Sequence, residues 1–386
     1  MPFALVAARV FTGERFLDRH AVVVADGVIA DVLDVAALPP DMPRSEFPDQ
    51  LLAPGWIDAQ VNGGGGVLFN AEPTVETLRR MAATFAPYGT TALLPTFITD
   101  HPARMSLAIT AVREAIAQRV PGIAGLHLEG PFLSLARKGA HDPALIRPLT
   151  DPDVDLLLAS GIETLLVTVA PENAAPRLIR RLVDAGVIVS LGHSDAPYDV
   201  VIAAADAGAR GVTHLFNAMS QLTHRAPGMV GAALDHGGLW AGLIADGQHA
   251  DPAALRIAVA AKRGPGRLFL VTDAMPPAGS PDDVFELTGR RVTRRDGRLT
   301  LDDGTLAGSD LTMDRAVRYA VRHLDLPLAE ALRMASLYPA CFLRCDTSRG
   351  RIAIGHRANL TLLSDDLRVT GVWIGGTRLP MPETGE

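Results

Sequence analysis

Short apolar runs recur through the middle of the chain, at 55–59, 91–95, 122–128, 163–169, 187–192, 211–213, 239–244 and 267–272. Segments with helical character separate them. The stretch 199–208, for example, is rich in alanine and stops at Gly208. Such crossovers are too long for hairpins, so the strands they join must run parallel. Eight strand–helix units over roughly 250 residues predict a (β/α)8 TIM-type barrel. A doubly wound open sheet would carry an early glycine-rich phosphate fingerprint. Gly63-Gly64-Gly65-Gly66 has neither its spacing nor a helix start after it.

The two ends of the chain read differently. Ala21–Val24 and Val28–Leu33 flank Asp26-Gly27, a two-residue hairpin turn, and no helix pattern accompanies them. Near the other end, 358–363 and 369–374 also alternate as strands, with Gly375-Gly376 as a turn. These patterns predict a small β-sandwich domain built from both termini, 1–52 plus 352–386, with the barrel, 53–351, inserted between them. After the eighth barrel strand, 291–301 reads as an inserted hairpin turning at Asp296-Gly297, and 303–309 as a loop. Helices are expected over 313–324 and 328–343.

Composition narrows the function classes. Of 386 residues 48% are apolar and 20% charged, which favours a large buried core over disorder. A net charge of −7 without a basic run excludes a nucleic-acid or anionic-membrane surface, yet leaves room for a small anionic ligand held by local arginines. The start has no secretory pattern, and no run reaches the ~20 apolar residues that span a bilayer. Cys341 and Cys345 alone cannot make a disulfide framework, and reduced thiols suit a cytoplasmic protein.

Candidate chemistry lies at the carboxyl ends of the runs, where barrels place their catalytic groups. The ends carry Gln60 and Asn62, Thr96, Glu129, His193, His214 with Asn217, Asp246 and Asp273. Any one of them could be a helix cap, Glu129 least of all because Pro131 follows two residues on and supports a turn. His193 and His214 close consecutive strands in matching positions, which favours a shared role. With Glu129 they form a two-histidine, one-carboxylate set that leaves a fourth position on zinc for water. His127, two residues before Glu129, shares its strand face and reads as interior packing.

The sequence resembles the N-acetylglucosamine-6-phosphate deacetylases of the amidohydrolase superfamily. The resemblance rests on Pro54–Gly63 (PGWIDAQVNG), Leu126–Phe132 (LHLEGPF), Lys138–His141 (KGAH), Gly192–Ser194 (GHS) and Thr213–Met219 (THLFNAM). Arg225–Gly228 (RAPG), Ala245–His249 (ADGQH), Thr272–Ala274 (TDA) and Gly304–Ser309 (GTLAGS) continue it nearly to the end. It implies a divalent metal, zinc, iron or another, on Glu129, His193 and His214, with Asp273 as the catalytic proton-transfer residue and His141 beside the carbonyl. It implies substrate contacts from Ala140, His141, Asn217, Ala218, Leu306, Ala307 and Gly308. Arg225 and His249 would hold the sugar phosphate, one of them reaching across a homodimer. Gln60 and Asn62 occupy a second-metal position of the wider superfamily with weak ligands, so one tightly held metal is expected.

The expected reaction is hydrolysis of N-acetyl-D-glucosamine 6-phosphate to D-glucosamine 6-phosphate and acetate, a step of amino-sugar catabolism. Alternatives are the galactosamine epimer, another amidohydrolase substrate, or a barrel without catalysis. A serine or cysteine nucleophile is not expected, since no Gly-x-Ser-x-Gly elbow is present.

Overall fold

A computed structural model describes residues 1–381; the last five positions of the expected terminal β segment, 382–386, lie outside the described residues. Eight parallel strands run in sequential order around one sheet: Trp56–Val61, Thr90–Ile98, Leu126–Glu129, Leu165–Val169, Ile188–Leu191, Gly211–Val212, Trp240–Ile244 and Leu268–Val271. The first and eighth meet through a parallel bridge between Val61 and Ala274, and Asp273 N–H donates to the Gln60 carbonyl at 2.9 Å. The sheet therefore closes as a barrel. Nearly every strand residue is buried, as expected when a parallel sheet is covered by helices outside and packed side chains within.

Local sequence explains the helices around it. Thr74 caps Val75–Phe85 by accepting from Thr77 N–H at 3.2 Å, and Leu78, Met81, Ala82 and Phe85 recur on its buried side. The helix expected over 199–208 runs Tyr198–Asp206. Gly208 ends it at φ +106°, where a Cβ would also lie 2.8 Å from Val183 Cγ1. The helix expected over 328–343 is instead two, Leu328–Ala335 and Leu337–Phe342, broken at Ser336 (φ −128°, ψ −72°). Pro339 has no N–H for a bond to Ala335, and its ring would clash there.

The terminal segments build one seven-stranded sheet in which Arg44–Pro54 pairs with both Phe3–Phe11 and Leu360–Leu363. Its ends curl toward each other: Ile29 N–H donates to His356 O, and Leu5, Val22, Ile29, Leu52, Leu360 and Trp373 share one core. The expected sandwich is thus a single curled sheet. Asp26-Gly27 makes the predicted turn with both residues at positive φ.

The insertion after the eighth strand is larger than a hairpin. Val284–Leu287, Arg290–Arg295, Arg298–Leu301 and Leu306–Ser309 form a four-stranded sheet. The stretch read as a loop over 303–309 therefore ends in a strand. Pairing with Arg298–Leu301, and a bridge from Ser309 to Ala274, recruits residues that carry no strand pattern of their own. Leu287, Val292, Leu299 and Ala307 pack with Ile98 and Met275, so this sheet sits over the carboxyl face of the barrel.

Candidate metal centre and cavity

A cavity of about 370 Å³ opens at that face. Glu129 ends the third strand, His193 follows the fifth and His214 the sixth, so the three reach one point from strand ends on the same face of the barrel. His214 Nε2 lies 2.9 Å and His193 Nε2 3.3 Å from Glu129 Oε1, and the two nitrogens are 3.1 Å apart. All three residues are buried, and one ligating atom from each falls within 4.8 Å of the others. Such a set fits a divalent metal. The His193 ring is oriented by its Nδ1–H, which donates to the Arg137 carbonyl at 2.9 Å and leaves Nε2 as the nitrogen able to ligate.

The cluster shares charge internally. Burial would raise Glu129, but hydrogen bonds and charge from His193 and His214 outweigh it and hold the carboxyl well below its usual range. Burial would lower His214, and the bond and charge of Glu129 reverse that, so its net shift is upward.

Asp273 lines the same cavity. Asn62 Nδ2 donates to its Oδ1 at 2.6 Å, and Gln60 Nε2 to the same oxygen at 3.1 Å. Gln60 Nε2 also lies 3.2 Å from each oxygen of Glu129, so one amide faces both carboxylates. Burial, then the negative charge of Glu129, push the Asp273 carboxyl up to about 6. Its side chain caps no helix; the next helix starts at Met313. His193, His214 and Asp273 all have positive φ, at 47°, 33° and 53°. Three non-glycine residues in that sparsely populated region, at three strand ends, mark a site where geometry is held against backbone preference.

His141, Ala140, Asn217, Ala218, Leu306, Gly308 and His249 line the cavity, while Ala307 points into the apolar core above it. His249 Nδ1 bonds Asp246 Oδ2 at 2.7 Å, a support for His249 that the sequence reading missed. Arg225 is exposed on the loop before the helix Gly228–Asp235, outside the cavity lining. His127 bonds Thr96 and Thr168 in the interior, and burial lowers it to about 4. Arg137, Ile98, Met275 and Thr305 also line the cavity without having been singled out. An apolar side chain or a backbone carbonyl carries no chemical signature in sequence.

Residues 51–379 match the model of the Amidohydrolase family, and residues 2–47 that of the NagA composite domain. The chain belongs to the amidohydrolase family. This family is metal-dependent, in keeping with the Glu129, His193 and His214 group. This amidohydrolase is 45% identical to the N-acetylgalactosamine-6-phosphate deacetylase of Shewanella sp. (strain ANA-3), over 99% of this chain and 97% of the relative. It is 36% identical to the N-acetylglucosamine-6-phosphate deacetylase of Haemophilus influenzae, over 97% and 99%. The crystal structure of N-acetylglucosamine-6-phosphate deacetylase from Pasteurella multocida superposes with a TM-score of 0.95 at 38% identity, covering 98% of this chain and 100% of the other. Among the described residues of this amidohydrolase, no helix is long and apolar enough to cross a membrane.

Proposed function

We propose that this amidohydrolase hydrolyses N-acetyl-D-glucosamine 6-phosphate to D-glucosamine 6-phosphate and acetate. The observation that carries the reading is that Asp273, held at Oδ1 by Asn62 and Gln60, lines the same cavity as the buried Glu129–His193–His214 group. The similarity to deacetylases over almost the whole chain supports it.

Glu129, His193 and His214 would hold one divalent ion, zinc or iron among the candidates. Bound there, the ion supplies a water of lowered pKa and polarises the acetamide carbonyl. Asp273 takes the proton from the attacking water and passes it to the departing nitrogen. Asn62 and Gln60 hold its Oδ1 and leave Oδ2 for the transfer. His141 donates to the carbonyl oxygen as it gains negative charge, where a fixed donor is worth a few kcal/mol.

His249, braced by Asp246, and Arg225 hold the 6-phosphate. An exposed Arg225 outside its own cavity lining suits a homodimer in which each guanidinium serves the other subunit's site. The setting is cytoplasmic amino-sugar catabolism.

The 45% identity to a relative named for the galactosamine epimer favours a second reading, N-acetylgalactosamine 6-phosphate as substrate. One assay separates the two. Acetate release is followed on both epimers side by side, with and without chelator. Chelator-sensitive turnover with higher kcat/KM on the glucosamine epimer is the expected result. A preference for the other epimer replaces the substrate, and no release from either removes the deacetylase reading.

A further inference from the structure

A neutral imidazole donates from only one of its nitrogens, so the cavity-facing edge of His141 can serve a carbonyl oxygen in one tautomer and not in the other. Thr99, the residue after the second barrel strand, stands where it can select between them. Its hydroxyl lies 2.8 Å from His141 Nδ1, and its backbone N–H is directed at the same nitrogen at 3.4 Å. A backbone N–H can only donate. Nδ1 therefore meets it as an acceptor, and the hydroxyl proton is free to point the same way. Among the described residues, both hydrogen bonds to the ring fall on Nδ1.

We propose that Thr99 is a positioning residue that holds His141 as its Nε2–H tautomer, so that the neutral ring presents an N–H to the substrate carbonyl. This rests on the deacetylase reading for the role of His141, though not for the tautomer itself.

The surroundings of the pair leave it little freedom. Thr99 is 1% and His141 4% exposed. Room for the hydroxyl comes from Gly130, at φ +94°, where a Cβ would lie 2.2 Å from Thr99 Oγ1. The other side of the ring packs edge-on against His193, with centroids 4.4 Å apart. The backbone under His141 is tied down separately: its N–H donates to Lys138 O at 3.1 Å, and the Arg290 guanidinium donates to the Ala140 carbonyl. Ring position and ring tautomer are thus set by different elements, which makes the second testable alone.

Thr99→Val keeps the branched shape and removes the hydroxyl, whereas Thr99→Ser keeps the hydroxyl. In the metal-loaded enzyme Thr99→Val is expected to lower kcat about 10-fold, the effect of one lost hydrogen bond of about 1.4 kcal/mol, with KM and metal content little changed. Thr99→Ser should recover most of that loss. Nitrogen NMR of 15N-histidine-labelled enzyme, with His141 assigned from the signals lost in His141→Gln, should show a pyridine-like Nδ1 and a pyrrole-like Nε2. Thr99→Val, which keeps only the longer backbone bond to Nδ1 at 3.4 Å, should retain the Nε2–H form as the major one and let part of the population pass to the other. A pyrrole-like Nδ1 in the unaltered enzyme, or full kcat in Thr99→Val, overturns the proposal. The NMR signature needs no turnover. A correct tautomer in an enzyme that releases no acetate would therefore sink the deacetylase reading while sustaining the hold of Thr99 on the ring.

Discussion

Replacing Asp273 by Asn separates its proposed catalytic role from a structural one, because the two effects should have opposite signs. The amide is nearly isosteric, and its oxygen can still accept from Asn62 Nδ2 and Gln60 Nε2, which now reach Oδ1 at 2.6 and 3.1 Å. It cannot take a proton from water, so turnover should fall at least ~10²-fold while substrate still binds. Stability should move the other way. In the metal-free protein the folded carboxyl sits near 6 against an ordinary 3.8, raised first by burial and then by Glu129. Between those values the unfolded chain is ionised while the folded one keeps its proton. The group thus makes stability fall as pH rises through that window, and the loss persists above it. The difference corresponds to up to about 3 kcal/mol, less whatever water in the cavity screens. Asn carries no such penalty. Urea unfolding of chelator-treated protein at pH 8 should show Asp273→Asn more stable than the parent, and at pH 4 the advantage should vanish. A variant with near-full turnover, or one destabilised at pH 8, would refute the assignment.

Elemental analysis of dialysed protein should give about one divalent ion per chain, and His193→Ala or His214→Ala should empty the site and abolish turnover; two equivalents that both survive dialysis would restore Gln60 and Asn62 as ligands. The net upward shift of His214 means that the metal-free ring keeps its proton to higher pH than an ordinary imidazole, and below that pH a metal must displace it. Zinc affinity should therefore rise with pH, and calorimetry in two buffers of different ionisation heat should report proton release; identical heats would contradict it. Arg225→Ala should lower kcat/KM on the 6-phosphate by at least ~10-fold, about 1.4 kcal/mol, and hardly affect unphosphorylated N-acetylglucosamine. An equal loss on both substrates would assign Arg225 to the loop or the dimer contact.

The sequence by itself determined the alternation of buried strands with helices, the β character of both ends and the two Asp-Gly turns. Each of these is written in local periodicity or in a residue's own φ preference. It also showed polar side chains at the strand ends, since closing a parallel barrel sends those ends to one face. Only the tertiary structure decided what those side chains meet. Gln60 donates to residues 69 and 213 positions away, which turns a weak ligand into a brace between two carboxylates. The Arg137 carbonyl that orients His193 and the Thr99 donors aimed at His141 depend on loops meeting across the barrel mouth. The strand Leu306–Ser309 exists because a partner edge and Ala274 lie alongside it. Residue type and spacing encode which groups can bond, whereas the choice among partners is made by barrel closure, which brings distant segments within hydrogen-bond reach.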